Sequence, residues 1–385
     1  MLATMADAKL SILALSAYHG GVREAFLEGL AAYSRHEFAQ LTLPPRTWPR
    51  RLKGSALWFA DEIGRLRRPK LDLILADDLT DTSRLRALLP AALRGTPIVQ
   101  YFHDDVLSAD LRARPRDEPL AVSQLHSILT ADLVLAASEH HRQAIVAGAK
   151  RLVRTFPDAV PAGLVETVEA TVAVCPPGVD AKAIQSAEPR ARPDGPPVVL
   201  WNHPWTDEQN PAMFFETLAH LEAEGIDFRL IAVGIAVRKY PEVFQEARRR
   251  LARHIVQFGY VPGREQYLAN IRAADVVVST ARQEWFPLTV VEAVIAGAAP
   301  LVSRALANAE VFGDQLAGHS YRGPVDLRRT LARLLTEQRR RPPTGDMGRD
   351  LARRYGWPAV TEKLDRLFTK TASSGSQTAP PPKRR

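Results

Sequence analysis

Short apolar runs, each followed by a stretch that fits a helix, recur along the whole chain. This alternation narrows the fold more than any other feature, because it calls for parallel sheets covered by helical crossovers. The runs fall at residues 10–17, 38–43, 71–76, 98–101, 133–136 and 172–175 in the first half, and at 198–201, 229–233, 255–258, 276–279 and 300–302 in the second. Helices fit between them, among others at 22–34, 138–147, 211–224 and 264–273. One phrase occurs in both halves, Ala131-Asp-Leu-Val-Leu135 and Ala274-Asp-Val-Val-Val278. At 385 residues the chain exceeds one compact core. The expected architecture is therefore α/β, two Rossmann-like doubly wound domains facing each other, with a ligand at the carboxyl ends of their strands. A proline-rich stretch, 189–197, reads as the linker between an N-terminal domain at 1–188 and a C-terminal domain at 198–370. Residues 371–385, rich in Ser, Thr, Pro and basic side chains, read as a disordered tail.

Composition excludes several classes. The longest early apolar run, 10–17, is too short to span a bilayer and ends in Gly20-Gly21 without a small-residue cleavage pattern. The single cysteine, Cys175, has no partner for an internal disulfide and fits a reducing, cytoplasmic setting. No Cys and His residues stand at zinc spacing, so no structural metal is expected. The formal charge is +8, but Lys370, Lys383, Arg384 and Arg385 leave only +4 on residues 1–369. Local clustering says more than the total. Arg46, Arg50, Arg51 and Lys53 interleave with Trp48, and Arg65, Arg67, Arg68 and Lys70 follow. Such a patch fits a nucleic-acid backbone, although arginine-rich chains also carry solvated basic faces without a partner.

The chemistry is concentrated between Ala273 and Gly297, a strand, a loop and a helix start carrying Glu284 and Glu292. Pro287 suits a first helical turn, and amides around Leu288 and Thr289, at the positive end of a helix, offer donors to a phosphate. Acceptors for hydroxyls beside donors for a diphosphate suit a sugar nucleotide. Two further positions follow strands: Gly20-Gly21, where small residues admit a ligand or simply make a turn, and His103 in Tyr101-Phe-His-Asp-Asp105. Asp104 and Asp105 raise the thought of a metal, but paired aspartates at a turn are commonplace.

Trp201-Asn-His-Pro-Trp205, Tyr101-Phe-His103, Leu43-Pro-Pro45, Ser55-Ala-Leu-Trp-Phe59, Pro176-Pro-Gly-Val-Asp180 and the segment from Glu284 to Glu292 together resemble the tRNA-queuosine mannosyltransferase group of the retaining family 4-like GT-B glycosyltransferases. The resemblance spans residues 10–368. It implies transfer of mannose from GDP-mannose to queuosine in a tRNA anticodon, with no metal or other cofactor. By motif, Glu284 would hold sugar hydroxyls, Glu292 the ribose, and His103 would reach toward the transferring sugar. Gly20 and Gly21 would floor the site, Leu288 and Thr289 would give amides to the diphosphate, and His203, Arg282 and Pro287 would complete the donor side. The acceptor tRNA would meet Arg46, Arg50, Arg51 and Lys53. The chain departs from the group where relatives place an arginine and a lysine at the diphosphate: it has Pro204 and Gln209. Val22-Arg23 stands where a serine-histidine pair is usual, and Ile235 where a glutamate is. Arg23, Arg238 and Arg282 are the candidates to replace the lost charge. A binding protein without turnover, or a glycosyltransferase with a small-molecule or lipid acceptor, are the alternative readings.

Overall fold

The computed structural model describes residues 9–66, 70–158, 160–188, 195–235, 242–337 and 345–375. It divides into two units, residues 1–178 with 357–385, and residues 179–356. In the first unit six parallel strands, β1 (Ser11–Ser16), β2 (Glu37–Thr42), β3 (Leu73–Asp77), β4 (Ile98–Phe102), β5 (Leu133–Ala136) and β6 (Val172–Val174), lie in the order β2-β1-β3-β4-β5-β6. The second unit has β7 (Val198–Trp201), β8 (Arg229–Val233), β9 (Ile255–Gly259), β10 (Val276–Val278), β11 (Ala299–Ser303) and β12 (Ser320–Tyr321), in the order β12-β11-β10-β7-β8-β9. The α/β, doubly wound expectation is met in both. The order in which strands are added reverses between β1 and β3 in one sheet and between β7 and β10 in the other. Doubly wound sheets open a crevice at such points.

Buried strands such as β7, Val-Val-Leu-Trp, are apolar throughout because helices cover both faces. The repeated Ala-Asp phrase has the same job in each unit. Asp132 accepts the amide of Ile98 at 2.8 Å and returns its own amide to the Ile98 carbonyl. Asp275 does the same with Val198, also at 2.8 Å. Each aspartate pins the start of the neighbouring strand, at the head of the ladder that the two strands share. Of the predicted strands, all eleven appear within one or two residues at each end. The twelfth, β12, has two residues, too few to leave a periodic trace.

The domain boundaries differ from the expected ones. The helix Trp357–Gly375 belongs to the first unit, not to a C-terminal domain ending at 370. Trp357, Val360, Leu364 and Phe368 follow a helical repeat and join the core of Ile12, Phe26 and Leu30. Asp365 accepts the Ser34 hydroxyl at 2.6 Å and the Arg35 amide at 3.0 Å. An amphipathic stripe announces a helix but not which sheet it will cover. The other crossing lies at 178/179, ahead of the expected linker, because Val179 already pairs with Gly356 and the helix Ala181–Ser186 packs in the second unit. Residues 189–194 of that linker lie outside the described residues. The same C-terminal helix carries residues 371–375 of the expected tail, and 376–385 lie outside the described residues.

Candidate active site

At the reversal point of the second unit, the loops after β7 and β10 are tied together. The Thr280 hydroxyl donates to the carbonyls of Gln209 (2.9 Å) and Asn210 (3.1 Å), and Arg282 donates from its amide to Glu208 and from its guanidinium to Asn210 Oδ1, both at 2.8 Å. His203 is buried, and both ring nitrogens are engaged: Nε2 donates to the Val278 carbonyl at 3.1 Å, which leaves Nδ1 to accept the Thr289 hydroxyl at 3.2 Å. Burial pushes this ring down to about 4, so it is neutral at physiological pH. It positions Thr289 and adds no positive charge.

Glu284 sits partly exposed in the loop after β10 and, among the described residues, accepts only the Ser279 hydroxyl, at 3.3 Å. With desolvation opposed by that one bond, its carboxyl is pushed up to about 7. A carboxyl raised in the folded state contributes fully below its unfolded value and loses that contribution as pH climbs through about 7. Glu284→Gln is therefore expected to melt about 5 °C above the parent near pH ~8, about 2 kcal/mol once partial solvent screening is discounted, with the gap closing by pH ~5. Thermal melts across that range check it.

Glu292 lies in the second turn of the helix Leu288–Ile295, as its spacing predicts, and is buried. Its two oxygens accept Arg264 Nη2 at 2.5 Å and the Tyr267 hydroxyl at 2.7 Å. Asn202 Nδ2 reaches both the Tyr267 oxygen (3.1 Å) and the Thr289 carbonyl (3.0 Å), linking this cluster to the loop after β7. Pro287 precedes the helix as its N-cap rather than opening it. The Leu288 amide is not free for a phosphate: it donates to the Phe286 carbonyl at 2.8 Å across a tight turn at Pro287. Thr289 therefore heads the amides left open by that helix. Arg264 and Tyr267 carry little signal in the sequence. Their trace there is an Arg and a Tyr three apart, on one face of the helix that follows β9.

The two positions at which the resemblance implies positive charge hold neutral side chains. Pro204 is exposed, and Gln209 closes a turn with its Oε1 buried and without a hydrogen-bond partner among the described residues. Of the proposed substitutes, Arg23 is spent on a buried ion pair with Asp78 at 2.6 Å in the other unit, and Arg238 lies outside the described residues. Arg282 is exposed, with one nitrogen on Asn210. The cation that the structure adds is Arg264, half exposed while paired to Glu292.

The first unit gathers its own group where β1 and β3 part. Gly21, at φ 58 and ψ −127, takes a turn that side-chain-bearing residues avoid, and Gly20 lies under Pro45. That contact, with the His19 amide on the Leu43 carbonyl at 2.8 Å, brings the start of the basic segment beside the two glycines. Asp78 accepts Arg23 and, at 3.1 Å, the His103 amide. Burial, then the charge of Arg23, holds the His103 imidazole well below its ordinary value, so it too is neutral. It packs edge-on to Phe26 and against Tyr101. Asp105 is committed to Ser108 and His141, as a turn aspartate would be. Among the described residues, no three or more His, Cys, Asp and Glu side chains are grouped to hold a metal ion. Arg46, Arg50 and Lys53 are exposed, and Arg51 donates to the Pro44 carbonyl at 3.1 Å. Arg50 and Lys53 lie on the helix Trp48–Arg65, which also exposes Trp48, Leu57 and Trp58. Arg67 and Arg68 lie outside the described residues. No described helix is long and apolar enough to cross a membrane.

Among solved structures, the N-terminal domain of Candida albicans trehalose-6-phosphate phosphatase superposes with TM-score 0.71 at 13% identity, covering 94% of this chain and 97% of that one. A sucrose-phosphate synthase from Thermosynechococcus elongatus does so with TM-score 0.67 at 16% identity, covering 94% and 100%. Such identities speak to the fold alone, and the fold is GT-B. Residues 184–349 match the family described as glycosyl transferases group 1, so the protein is a glycosyltransferase. Residues 11–179 match the family described as tRNA-queuosine alpha-mannosyltransferase N-terminal. The Drosophila melanogaster tRNA-queuosine alpha-mannosyltransferase is 26% identical over 317 residues, 80% of this chain and 83% of that protein. The two parts of the chain thus resemble, in order, the N-terminal part of tRNA-queuosine alpha-mannosyltransferases and the group 1 glycosyl transferases.

Proposed function

We propose that the protein transfers a sugar, mannose from GDP-mannose, to queuosine in a tRNA anticodon with retention at the anomeric carbon. The observation that carries this is the cluster at the second unit's reversal point: a partly exposed, weakly bonded Glu284 and a cation-bound Glu292. Glu284 receives sugar hydroxyls, and its high carboxyl pKa lets it accept or donate near neutral pH. Glu292 keeps lone pairs for ribose hydroxyls. In the reaction the bond from C1 to the diphosphate oxygen breaks, a bond from C1 to the acceptor oxygen forms on the same face, and the hydroxyl proton passes to the departing diphosphate. The leaving diphosphate gathers charge, which preorganised donors must meet. The Thr289 amide, Arg264 and Arg282 supply it, in place of the pair that Pro204 and Gln209 lack. Arg264→Ala should weaken GDP-mannose binding about tenfold, read by calorimetry. The donor needs no metal or other cofactor in this reading, and the setting is cytoplasmic. The acceptor RNA meets Arg46, Arg50, Arg51 and Lys53, with Trp48 and Trp58 offering faces for unstacked anticodon bases.

Purified protein incubated with queuosine-containing tRNA and labelled GDP-mannose is expected to label the tRNA. Absence of transfer from every sugar nucleotide tried counts against the reading. A second reading, a tRNA-binding homologue without turnover, is favoured by Pro204 and Gln209. It would be upheld if only the Pro204→Arg, Gln209→Lys double variant transferred sugar.

A further inference from the structure

An open cavity of about 500 Å³ lies at the β12 edge of the second sheet, lined by Arg304, Arg322, Arg329, Arg333 and Asp326 among others. Arg304 directly follows β11 and Arg322 directly follows β12. Ser303 is in register with Tyr321, and the Arg304 amide donates to the Tyr321 carbonyl at 3.3 Å, so the two arginines leave neighbouring strands side by side. Like charges at such positions repel unless something anionic lies between them. Arg329 and Arg333, one turn apart on the helix Pro324–Glu337, line the same space.

Four cations thus share one lining carboxylate, and that carboxylate is occupied. Asp326 accepts Arg329 at 2.6 Å through one oxygen and the Arg322 amide at 3.1 Å through the other. Two of the four are answered within their own helix, Arg329 by Asp326 and Arg333 by Glu337, as Arg65 is by Asp61 and Arg366 by Glu362. Arg304 and Arg322, which come from strand ends, make no ion pair among the described residues; the Arg304 side chain donates to the Ser320 hydroxyl, at 2.9 Å. With Arg329 and Arg333 paired, two surplus positive charges remain, on Arg304 and Arg322, whose backbones are adjacent and whose guanidiniums are suited to a phosphate.

The cavity is also wired to the candidate active site. The Tyr321 hydroxyl donates to the Ser279 carbonyl at 2.9 Å, and Ser279 donates to Glu284. We infer that the arginine cavity is a subsite for the phosphodiester backbone of the acceptor RNA, flanking the sugar-donor site on the same unit. It rests on the reading that the acceptor is a tRNA. The arginines carry no base preference. They hold the strand's register relative to Glu284, as backbone contacts do in nucleic-acid recognition generally.

The test uses the full chain and queuosine-containing tRNA, with binding measured by fluorescence anisotropy across a salt series. Arg304→Glu with Arg322→Glu is expected to weaken tRNA binding about thirtyfold or more near ~0.1 M salt, and to flatten the slope of log K against log salt by about 2, one unit for each lost phosphate contact. Arg322→Ala alone removes an exposed side chain without an ion-pair partner, so it tests the cavity without risk to folding and should flatten the slope by about 1. Arg322→Lys should restore it. GDP-mannose titration of the same variants should match the parent, which separates this proposal from the donor assignment. Variant binding and salt slope equal to the parent's would overturn the subsite while leaving the glycosyltransferase reading intact. So would saturation by inorganic phosphate with no effect on tRNA, or capture of anionic phospholipid vesicles in preference to tRNA. A parent that binds GDP-mannose but no tRNA would remove the subsite and the RNA acceptor together.

Discussion

Gly234→Ala is expected to cost about 3 kcal/mol or more and to abolish donor binding with it. An added Cβ would stand 1.9 Å from the His203 carbonyl oxygen and 2.6 Å from the Trp205 ring. Neither neighbour can retreat. Trp205 is 2% exposed and stacked on Phe244 with ring centroids 4.0 Å apart, and His203 is held by Val278 and Thr289. Any accommodation must push the loop after β7 off the loop after β10, and so move Thr289 and Asn202 away from the Glu292 cluster. Calorimetric titration with GDP-mannose and a thermal melt measure the two effects. Loss of affinity without loss of stability would mean that the loop moved freely, and that its packing is not what orders the site.

Trp357→Ala is expected to destabilise the first unit by about 3–5 kcal/mol, the range for emptying a large aromatic site in a core. The indole is 5% exposed and fills the space that two glycines leave open. A Cβ at Gly29 would lie 2.0 Å from the ring, and one at Gly178 2.3 Å. Tyr33 stacks on it at 6.4 Å and Phe26 tilts against it at 5.9 Å. Because this residue starts the C-terminal helix, its loss should also free Asp365 from Ser34 and Arg35. Hydrogen exchange of the helix Val22–Tyr33 would show the lost protection. Unchanged protection there would mean that the C-terminal helix contributes little to the first unit.

Several elements of the site are legible in the order of residues alone. Glu284 and Glu292 fall where a strand, loop and helix start place them, and the two Ala-Asp phrases mark equivalent strand starts. Other expectations give way to geometry. The Leu288 amide is absorbed by a turn, His203 is a neutral tether, and Arg23 is paired inside its own unit rather than available as a substitute cation. The twelfth strand and the ownership of the last helix leave no local trace either.

The division has a physical cause. Alternating apolar runs, capping prolines and the spacing of two acids are local patterns, set within a turn or a strand by the periodicity of the backbone, and they are written in sequence order. Which cation answers Glu292, which sheet the helix from Trp357 covers, and which arginines meet beyond β11 and β12 depend on pairings between residues 28, hundreds, and 18 positions apart. Sheet order and burial decide those, because only the packed chain brings such groups within reach of one another and strips the water that would otherwise screen them.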